Sequence, residues 1–503
     1  MTRRVVSIPA AALIALALAV APVPAAKQKK GIPAHPSKIK YPALDFEVPD
    51  AEAYRHQLSN GIPVYIAEDH DLPLVSISIT ARVGEFLDAA DAPGVSSMTG
   101  TMMRQGGTRT QSAEAFDERA DFLAANIGAF SGSTSGGASL NCITPVLDES
   151  LDLLFDMLKN PGFDEARLAI QKDNYLESMK QRNDDAGDIQ QREWTWLIRG
   201  EDHFTGRQMT SAELEAISGE KLAAFHKSYW RPDGMIISVS GDVETEKILA
   251  ELEKRFAGWE PKGPEVSWPP APPTHTPVPG LYHVEKDIPQ GKVNIGHLSV
   301  RWDDWGKKEY YAAQIMNDIL GGGGFTSRMV KRIRSDEGLA YSAGSRFGIG
   351  TFWPATFRVS YQSKNETVAL AAKIALDLID QIRTEPVSDE ELKVSKNSFI
   401  DTFPRRFESP RQVVSTFADD EYVGRPHDYW TKYRDRIASI TKDDVLNSAK
   451  TYLHPDKMVF FVVGKWDEIE PGDADGRASM KEFFEGKVKH LPLRDPLTLE
   501  PME

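Results

Sequence analysis

The sequence contains a single cysteine, Cys142, in 503 residues, so no disulfide can form within the chain. Cys142 lies in Leu140-Asn141-Cys142-Ile143-Thr144, an alternating segment that is typical of a strand and predicts a buried thiol. No His stands near it in sequence to activate it as a nucleophile. Cysteine chemistry is therefore not expected to carry the function.

Metal-binding histidine pairs and excess positive charge are also absent. None of the eleven His residues lies three or four positions from another, the spacing that presents two imidazoles on one helix face. His70, within Glu68-Asp69-His70-Asp71, is predicted to be a solvated surface residue. The formal net charge of −15 disfavours nonspecific binding to nucleic acid or anionic lipid.

The sequence has no serine-hydrolase elbow, no P-loop and no dinucleotide-binding glycine fingerprint. The serine-rich stretch 131–137 precedes a strand and is interpreted as a flexible turn rather than a nucleophile loop. These absences exclude the commonest hydrolase and nucleotide-binding classes.

The first 26 residues have the order of an export signal. Arg3 and Arg4 are followed by an apolar run over 10–21 and by small residues at 23–26 that suit a signal peptidase. The apolar run is too short to span a bilayer comfortably, although an uncleaved membrane anchor is the alternative interpretation. No later segment resembles a transmembrane span. We therefore expect a soluble periplasmic protein with a flexible N-terminal segment at 27–44.

An internal repeat organises the rest of the chain. Residues 217–241 align with 440–464 without a gap, and eight aligned residues are identical. Each copy predicts a helix, a Pro-Asp turn, a short apolar strand and a final glycine. The chain is therefore interpreted as a duplicated unit.

Proline density marks the boundary between the two copies. Prolines cluster between 259 and 280, where they favour an extended, semi-rigid linker. We predict one domain at 45–258, a linker at 259–280, a second domain at 281–490 and a tail at 491–503. Strands separated by short turns, with helices grouped between them, favour an α+β fold over a doubly wound parallel sheet.

Two local patterns, together with the repeat, resemble those of the M16 (insulinase/pitrilysin-like) peptidases. The first runs from Gly94 to Met103 and is followed by Gly106-Gly107-Thr108; the second is Arg334-Ser335-Asp336-Glu337-Gly338-Leu339-Ala340-Tyr341-Ser342. The likeness covers about residues 45–470 and is nearest to the short-chain branch, with its mitochondrial processing peptidase subunits and bacterial heterodimeric peptidases. It implies the M16/LuxS-like fold, in which each half has a mixed, mostly antiparallel sheet with helices packed on it, and the whole forms one half of a clamshell.

Active members of this family carry His-x-x-Glu-His on an early helix and a Glu ligand on a later one. Two His ligands one helical turn apart, with the Glu between them, bind zinc and activate water. The resemblance places Ser97, Gly100 and Thr101 at the first three positions, and Ser178, next to Glu177, at the last. This chain is therefore not expected to hold zinc.

The second pattern keeps the family's Arg and Tyr, seven residues apart, at Arg334 and Tyr341. The resemblance implies that these residues hold the substrate backbone opposite zinc. A packing role is the alternative, with Arg334 paired to Asp336 or Glu337.

A glycine run precedes this pattern and follows a predicted helix over 308–320. Gly321, Gly322, Gly323 and Gly324 resemble the glycine-rich loop of the processing peptidase α subunit, which helps to admit substrate. A helix C-cap and turn is an equally good interpretation.

The resemblance therefore implies a zinc-less subunit of an exported heterodimeric peptidase. A partner with an intact His-x-x-Glu-His motif would supply zinc, and this chain, without a cofactor of its own, would help to bind unfolded peptide. Two alternatives stay open: a non-enzymatic scaffold of the same fold, and an enzyme with an unfamiliar metal site.

Overall fold

Two six-stranded sheets form the frame of the protein, a computed structural model that describes residue 39 and residues 45–502. The strands of the first sheet are β1 (Arg55–Gln57), β2 (Pro63–Glu68), β3 (Leu74–Ala81), β4 (Asn126–Ser131), β5 (Gly136–Ile143) and β6 (Met235–Gly241). They lie in the order β1-β2-β6-β3-β5-β4, with β2 and β6 parallel and the other neighbours antiparallel.

The second sheet repeats this arrangement. The strands of the second half are β7 (Gly280–Glu285), β8 (Gln290–Leu298), β9 (Val300–Arg301), β10 (Ala340–Phe347), β11 (Ile349–Gly350), β12 (Thr356–Lys364), β13 (Val459–Gly464) and β14 (Val488–Leu491). Six of them lie in the order β10-β12-β8-β13-β7-β14, while β9 and β11 pair separately. Five positions are equivalent between the sheets, since β4-β5-β3-β6-β2 corresponds to β10-β12-β8-β13-β7.

Sixteen α-helices are described with the two sheets. They are α1 (Ala51–Tyr54), α2 (Val95–Gln105), α3 (Ala113–Phe122), α4 (Leu147–Lys159), α5 (Glu165–Lys180), α6 (Ala186–Arg199), α7 (Ser211–Glu215), α8 (Gly219–Tyr229), α9 (Thr245–Phe256), α10 (Lys308–Asn317), α11 (Val368–Thr384), α12 (Asp389–Thr402), α13 (Pro410–Val423), α14 (Tyr429–Ala438), α15 (Lys442–Tyr452) and α16 (Trp466–Ile469).

The predicted repeat corresponds to α8 and β6 in one half and α15 and β13 in the other. Ser218 caps α8 by accepting from the Lys221 backbone N–H, and Thr441 caps α15 by accepting from Asp444. The apolar strands β6 and β13 are buried along nearly their whole length because each lies in the middle of a sheet covered on both faces. The predicted fold class, two α+β halves of the same kind, is confirmed.

The two halves exchange a helix. Helix α13 of the second half packs on β2 and β6 of the first sheet, and α6 of the first half packs on β8 and β13 of the second. As a result Tyr65 and Ile236 of the first sheet belong to the same apolar core as α13. Each sheet therefore buries one of its faces against the other half of the chain.

Two elements, one beside the candidate site and one exchanged between the halves, were not predicted from the sequence. They are the edge strand β4, with its glycine and its exposed Phe130, and the exchanged helix α6. Apolar periodicity predicts a helix over 147–159, which α4 matches at both ends, and the helix predicted over 308–320 corresponds to α10 and the turn that follows it.

The predicted export signal at 1–26 and most of the segment at 27–44 lie outside the described residues. Over the residues that the structure describes, no helix combines the length and the apolar character needed to cross a membrane. The predicted domain boundaries, including the linker at 259–280, stay predictions.

Candidate functional site

Helix α2 carries Ser97, Gly100 and Thr101, the positions that the resemblance aligns with the zinc motif. The Ser97 hydroxyl donates to the Gly94 carbonyl at 3.1 Å, and the Thr101 hydroxyl donates to the Ser97 carbonyl at 3.1 Å. Both side chains therefore bond to the backbone of their own helix. Neither supplies the imidazole that this kind of site uses.

Gly100 closes the catalytic position sterically as well as chemically. It is buried where α2 crosses β4, and a Cβ added there would lie 2.3 Å from the Ser131 nitrogen and 2.5 Å from the Phe130 carbonyl carbon. Any side chain at this position requires the helix or the strand to move. The structure therefore leaves no room for a glutamate at position 100.

The later helix offers no replacement ligand. Ser178 is exposed on α5, and the neighbouring Glu177 carboxylate pairs with Lys180 at 2.6 Å. The α5 residue that faces Ser97 across a shared cavity is Tyr175. Among the described residues no group of three or more His, Cys, Asp or Glu side chains is arranged to hold a metal ion. The residues at the zinc positions therefore do not fit the metal.

The cavity beside Ser97 has a volume of about 230 Å³ and a charged lining that spacing along the chain did not reveal. Asp88 accepts from the backbone N–H groups of Gly94 and Ser96 at 2.9 and 2.8 Å and so caps the start of α2. Burial raises the pKa of Asp88 to about 7, against these two hydrogen bonds. Glu85 and Arg207 also line this cavity.

Arg334 and Tyr341 lie together in the second half. The Arg334 guanidinium carbon is 4.6 Å from the centre of the Tyr341 ring and 4.7 Å from the centre of the Phe325 ring. Both rings are exposed, Tyr341 at 84% and Phe325 at 71%. The arginine is thus held between two aromatic faces, a contact worth about 0.5–1 kcal/mol at an exposed site.

Arg334 does not make the ion pairs that a packing role predicts. Asp336 pairs with Arg332 at 3.1 Å, and Glu337 pairs with Arg477 at 2.7 Å. Among the described residues no side chain or backbone carbonyl forms a hydrogen bond or an ion pair with the Arg334 guanidinium. The proposed pairing with Asp336 or Glu337 is therefore wrong, and the donors of Arg334 are available to a ligand.

Tyr341 owes its position to a β-bulge. The register between β10 and β12 shifts between Ala340 and Ala343, so Tyr341 and Ser342 form the irregular part of the edge strand. Bulges turn a side chain out of the regular pleat and are frequent beside active sites. The phenol consequently projects into solvent next to Arg334.

The glycine run is a packed turn. Helix α10 continues as a π-helical turn over Asp318–Gly322, and a Cβ at Gly321 would lie 2.4 Å from the Ser345 nitrogen on β10. Added Cβ atoms at Gly322 and Gly323 would also overlap their neighbours, whereas Gly324 has a left-handed φ of 59° and open space around it. These glycines let the turn approach the edge strand closely.

The glycine turn, Arg334 and Tyr341 line one cavity of about 370 Å³. It has no lining residue in common with the cavity beside Ser97. The structure therefore brings together the predicted substrate-binding residues of the second half, and Ser97, one of the positions aligned with the zinc motif, lines a different cavity.

Comparison with known proteins identifies this architecture. Residues 216–399, which include the glycine turn, Arg334 and Tyr341, match the family model of the peptidase M16 inactive domain. An uncharacterized zinc protease of Bacillus subtilis, YmxG, is 25% identical over 392 residues, which cover 74% of this chain and 89% of that protein. A Helicobacter pylori protein named non-peptidase homolog YmxG is 22% identical over 424 residues, which cover 82% of this chain and 94% of that protein.

Solved structures show the same fold. A peptidase M16 inactive domain from Pseudomonas fluorescens has a TM-score of 0.73 at 22% identity and covers 82% of this chain and 97% of its own. The periplasmic protease PqqL from Escherichia coli has a TM-score of 0.71 at 14% identity, with 87% of this chain covering 49% of PqqL. The predicted resemblance to the M16 peptidases is confirmed. The match to the inactive-domain model runs from just before α8 to within α12.

Proposed function

We propose that this chain is the zinc-less subunit of an exported heterodimeric M16 metallopeptidase. In this proposal a partner with an intact His-x-x-Glu-His motif supplies zinc, and this chain binds the unfolded peptide substrate through Arg334 and Tyr341. The observation that carries the proposal is the Arg334 guanidinium, held between two exposed rings on a cavity and free of any acidic partner among the described residues.

The chemistry of the pair suits a peptide backbone. Arg334 presents a planar, permanently charged donor that can bond to a peptide carbonyl. The Tyr341 hydroxyl can donate to an oxygen that gains negative charge during hydrolysis. The turn from Gly321 to Gly324 forms part of the same wall, where backbone can approach backbone closely.

The comparisons support a role as half of a larger assembly. This chain spans about half the length of PqqL, and its fold matches that half. Since the first-half zinc positions do not fit a metal, we propose that hydrolysis requires a second M16 chain. The proposal places the protein in the periplasm because residues 1–26 have the pattern of an export signal.

Reconstitution tests this function. Mixing the chain with an M16 partner that carries the intact motif should generate activity against unfolded peptides that neither chain has alone. We expect Arg334→Ala and Tyr341→Phe each to lower kcat/KM about 10–100-fold, because each removes a charged or oxyanion-directed donor. Arg405→Ala, at an exposed arginine without an ion pair among the described residues, is the control and should leave activity unchanged. Unchanged turnover in both site variants would remove Arg334 and Tyr341 from the mechanism.

A non-enzymatic scaffold of the same fold is the second candidate. It is favoured by the name of the Helicobacter pylori relative, a non-peptidase homolog. Purification of the native complex separates the two candidates, since a stable assembly without any zinc-bearing M16 chain would support the scaffold.

A further inference from the structure

Three arginines that have no acidic partner among the described residues lie in or beside the cavity of Arg334 and Tyr341. Arg334 and Arg346 line the cavity, and Arg358 lies on β12, directly opposite Arg346 on β10. No ion pair to any of the three guanidinium groups is found in the described part of the chain. Their isolation is notable because the chain as a whole has a net charge of −15.

Arg346 and Arg358 form a like-charged cross-strand pair. Residues opposite each other in an antiparallel ladder point to the same face, so two cations there repel each other and destabilise the sheet. Arg346 is exposed, whereas Arg358 is half-buried. Burial and the neighbouring Arg346 lower the pKa of the Arg358 guanidinium from its ordinary value. An anion bound between the two side chains would relieve this repulsion.

On the equivalent face of the first sheet, the described strands β4 and β5 carry no charged residue of their own. There the edge strand β4 and its neighbour β5 pair Phe130 with Gly137 and Gly128 with Ser139. In both sheets the exchanged helix packs on this same face, over strands nearer the middle of the sheet. The fold alone therefore does not require positive residues at these positions, and they are a property of the second half.

We infer that this face binds the carboxylates of an acidic peptide segment, so that the chain selects substrates rich in Asp and Glu. The inference rests on the proposed peptide-binding function of the same cavity. Arginine forks match carboxylates in bidentate geometry, which gives them the strongest hydrogen bonds among side chains.

The edge strand favours an extended peptide as the occupant. Strand β10 lies at the border of its sheet, and no described strand pairs with its outer edge. Its backbone groups can therefore add an extended segment alongside Arg346 and Tyr341. A long polyanion such as nucleic acid is disfavoured because the rest of this acidic chain would repel it.

Calorimetric titration of the full chain with short synthetic peptides tests the inference. The acidic peptide alternates Glu and Ser and has an amidated C-terminus; a second peptide has Gln at every Glu position and is also amidated. A third carries Gln and a free C-terminal carboxylate, which distinguishes side-chain from terminal carboxylates. We expect the acidic peptide to bind at least about tenfold more tightly than the amidated Gln peptide, and the difference to shrink as salt rises.

Charge-matched variants locate the effect. Arg346→Gln and Arg358→Gln should each reduce the affinity for the acidic peptide about tenfold and leave the affinity for the amidated Gln peptide unchanged. Arg405→Gln removes the same charge elsewhere on the surface and should change neither affinity. Arg346 is exposed, so its variant is informative even if the half-buried Arg358 proves necessary for folding.

The outcomes separate this inference from the proposed function. Equal affinity for the acidic and amidated Gln peptides, with binding that still depends on Tyr341, would overturn only the acidic preference. Tighter binding of a single-stranded oligonucleotide than of the acidic peptide would also overturn the acidic preference. So would an equal loss of affinity for the acidic peptide in Arg346→Gln and Arg405→Gln. If only the Gln peptide with a free C-terminal carboxylate binds more tightly, the site recognises a terminal carboxylate and not acidic side chains. That result would also overturn the inference. Absence of binding to every peptide would overturn the proposed function as well.

Discussion

At the scale of single residues, position 100 shows that the packing of α2 against β4 leaves no space for the glutamate of a zinc motif. Helix α2 lies so close to β4 that glycine is the residue that fits. Alanine in a helix interior is normally more stable than glycine by about 0.5–1 kcal/mol. At Gly100 we expect alanine to be less stable than glycine, because the added Cβ overlaps the backbone of β4.

Gly100→Ala should therefore lower the free energy of unfolding by about 1–3 kcal/mol, the usual range for overpacking a core. Chemical denaturation of the two proteins measures this change. Ser97→Ala on the same helix is the matched control and should be neutral or slightly stabilising, since Ser97 is half-buried beside a cavity. A more stable Gly100→Ala protein would show that α2 can move away from the sheet.

The sequence located these positions but not their surroundings. The spacing of the flanking glycines was enough to place Ser97, Gly100 and Thr101 on one helix. Spacing cannot report the distance between α2 and β4, which depends on how the helix crosses the strand. The arginine pair of the second half was not found for the same reason, since the register of β10 against β12 brings Arg346 opposite Arg358.

At the scale of elements, the exchanged helix α13 is anchored by Glu421. Its carboxylate accepts from Arg55 at 3.1 Å and from the Tyr65 hydroxyl at 2.6 Å, and both partners belong to the first half. Burial alone would raise the pKa of Glu421, but these hydrogen bonds outweigh it and lower the pKa. The group therefore stabilises the packing of α13 on the first sheet in its charged form.

Glu421→Gln should lower the free energy of unfolding at pH 7 by about 1–3 kcal/mol, because a partly buried arginine loses its counter-ion. The folded pKa is depressed, so this stabilisation is present above the ordinary carboxyl pKa of about 4.3 and is lost as the pH falls through the folded value. Denaturation at pH 7 and pH 3 should show the difference between wild type and variant shrinking at the lower pH. Glu408→Gln, at an exposed residue just before α13, is the control. A pH-independent difference would contradict the assignment to charge.

Local patterns predicted most elements but not the exchange. Apolar periodicity identified α4 at both ends, and the repeat identified α8 with β6 and α15 with β13. Strand β4 was not predicted because its sequence, Asn126-Ile127-Gly128-Ala129-Phe130-Ser131, has weak strand propensity and lies at a sheet edge. The contact between Tyr65 and Glu421 joins residues 356 positions apart, which no local pattern can indicate.

At the scale of the whole molecule, the duplicated halves depend on each other. The first sheet buries Tyr65, Ala67 and Ile236 in a core shared with the second half, and α13 is the helix that covers this face. The division into domains at 45–258 and 281–490 follows the sequence repeat and stays a prediction. It does not by itself make each half an independent folding unit, because each half supplies a helix to the other.

We therefore expect residues 46–258, produced alone, to form a collapsed state without a cooperative thermal transition. The apolar face that α13 covers would be exposed, and burial of such a face is the main favourable contribution to folding. Binding of a hydrophobic dye and loss of near-ultraviolet circular dichroism would report this state. Producing residues 46–258 and 280–502 as separate chains in one cell supplies the control: their association should restore the cooperative transition, because α6 and α13 can then exchange between two chains. If the first half unfolds cooperatively on its own and does not bind the dye, each half folds independently and the helix exchange only joins the two halves.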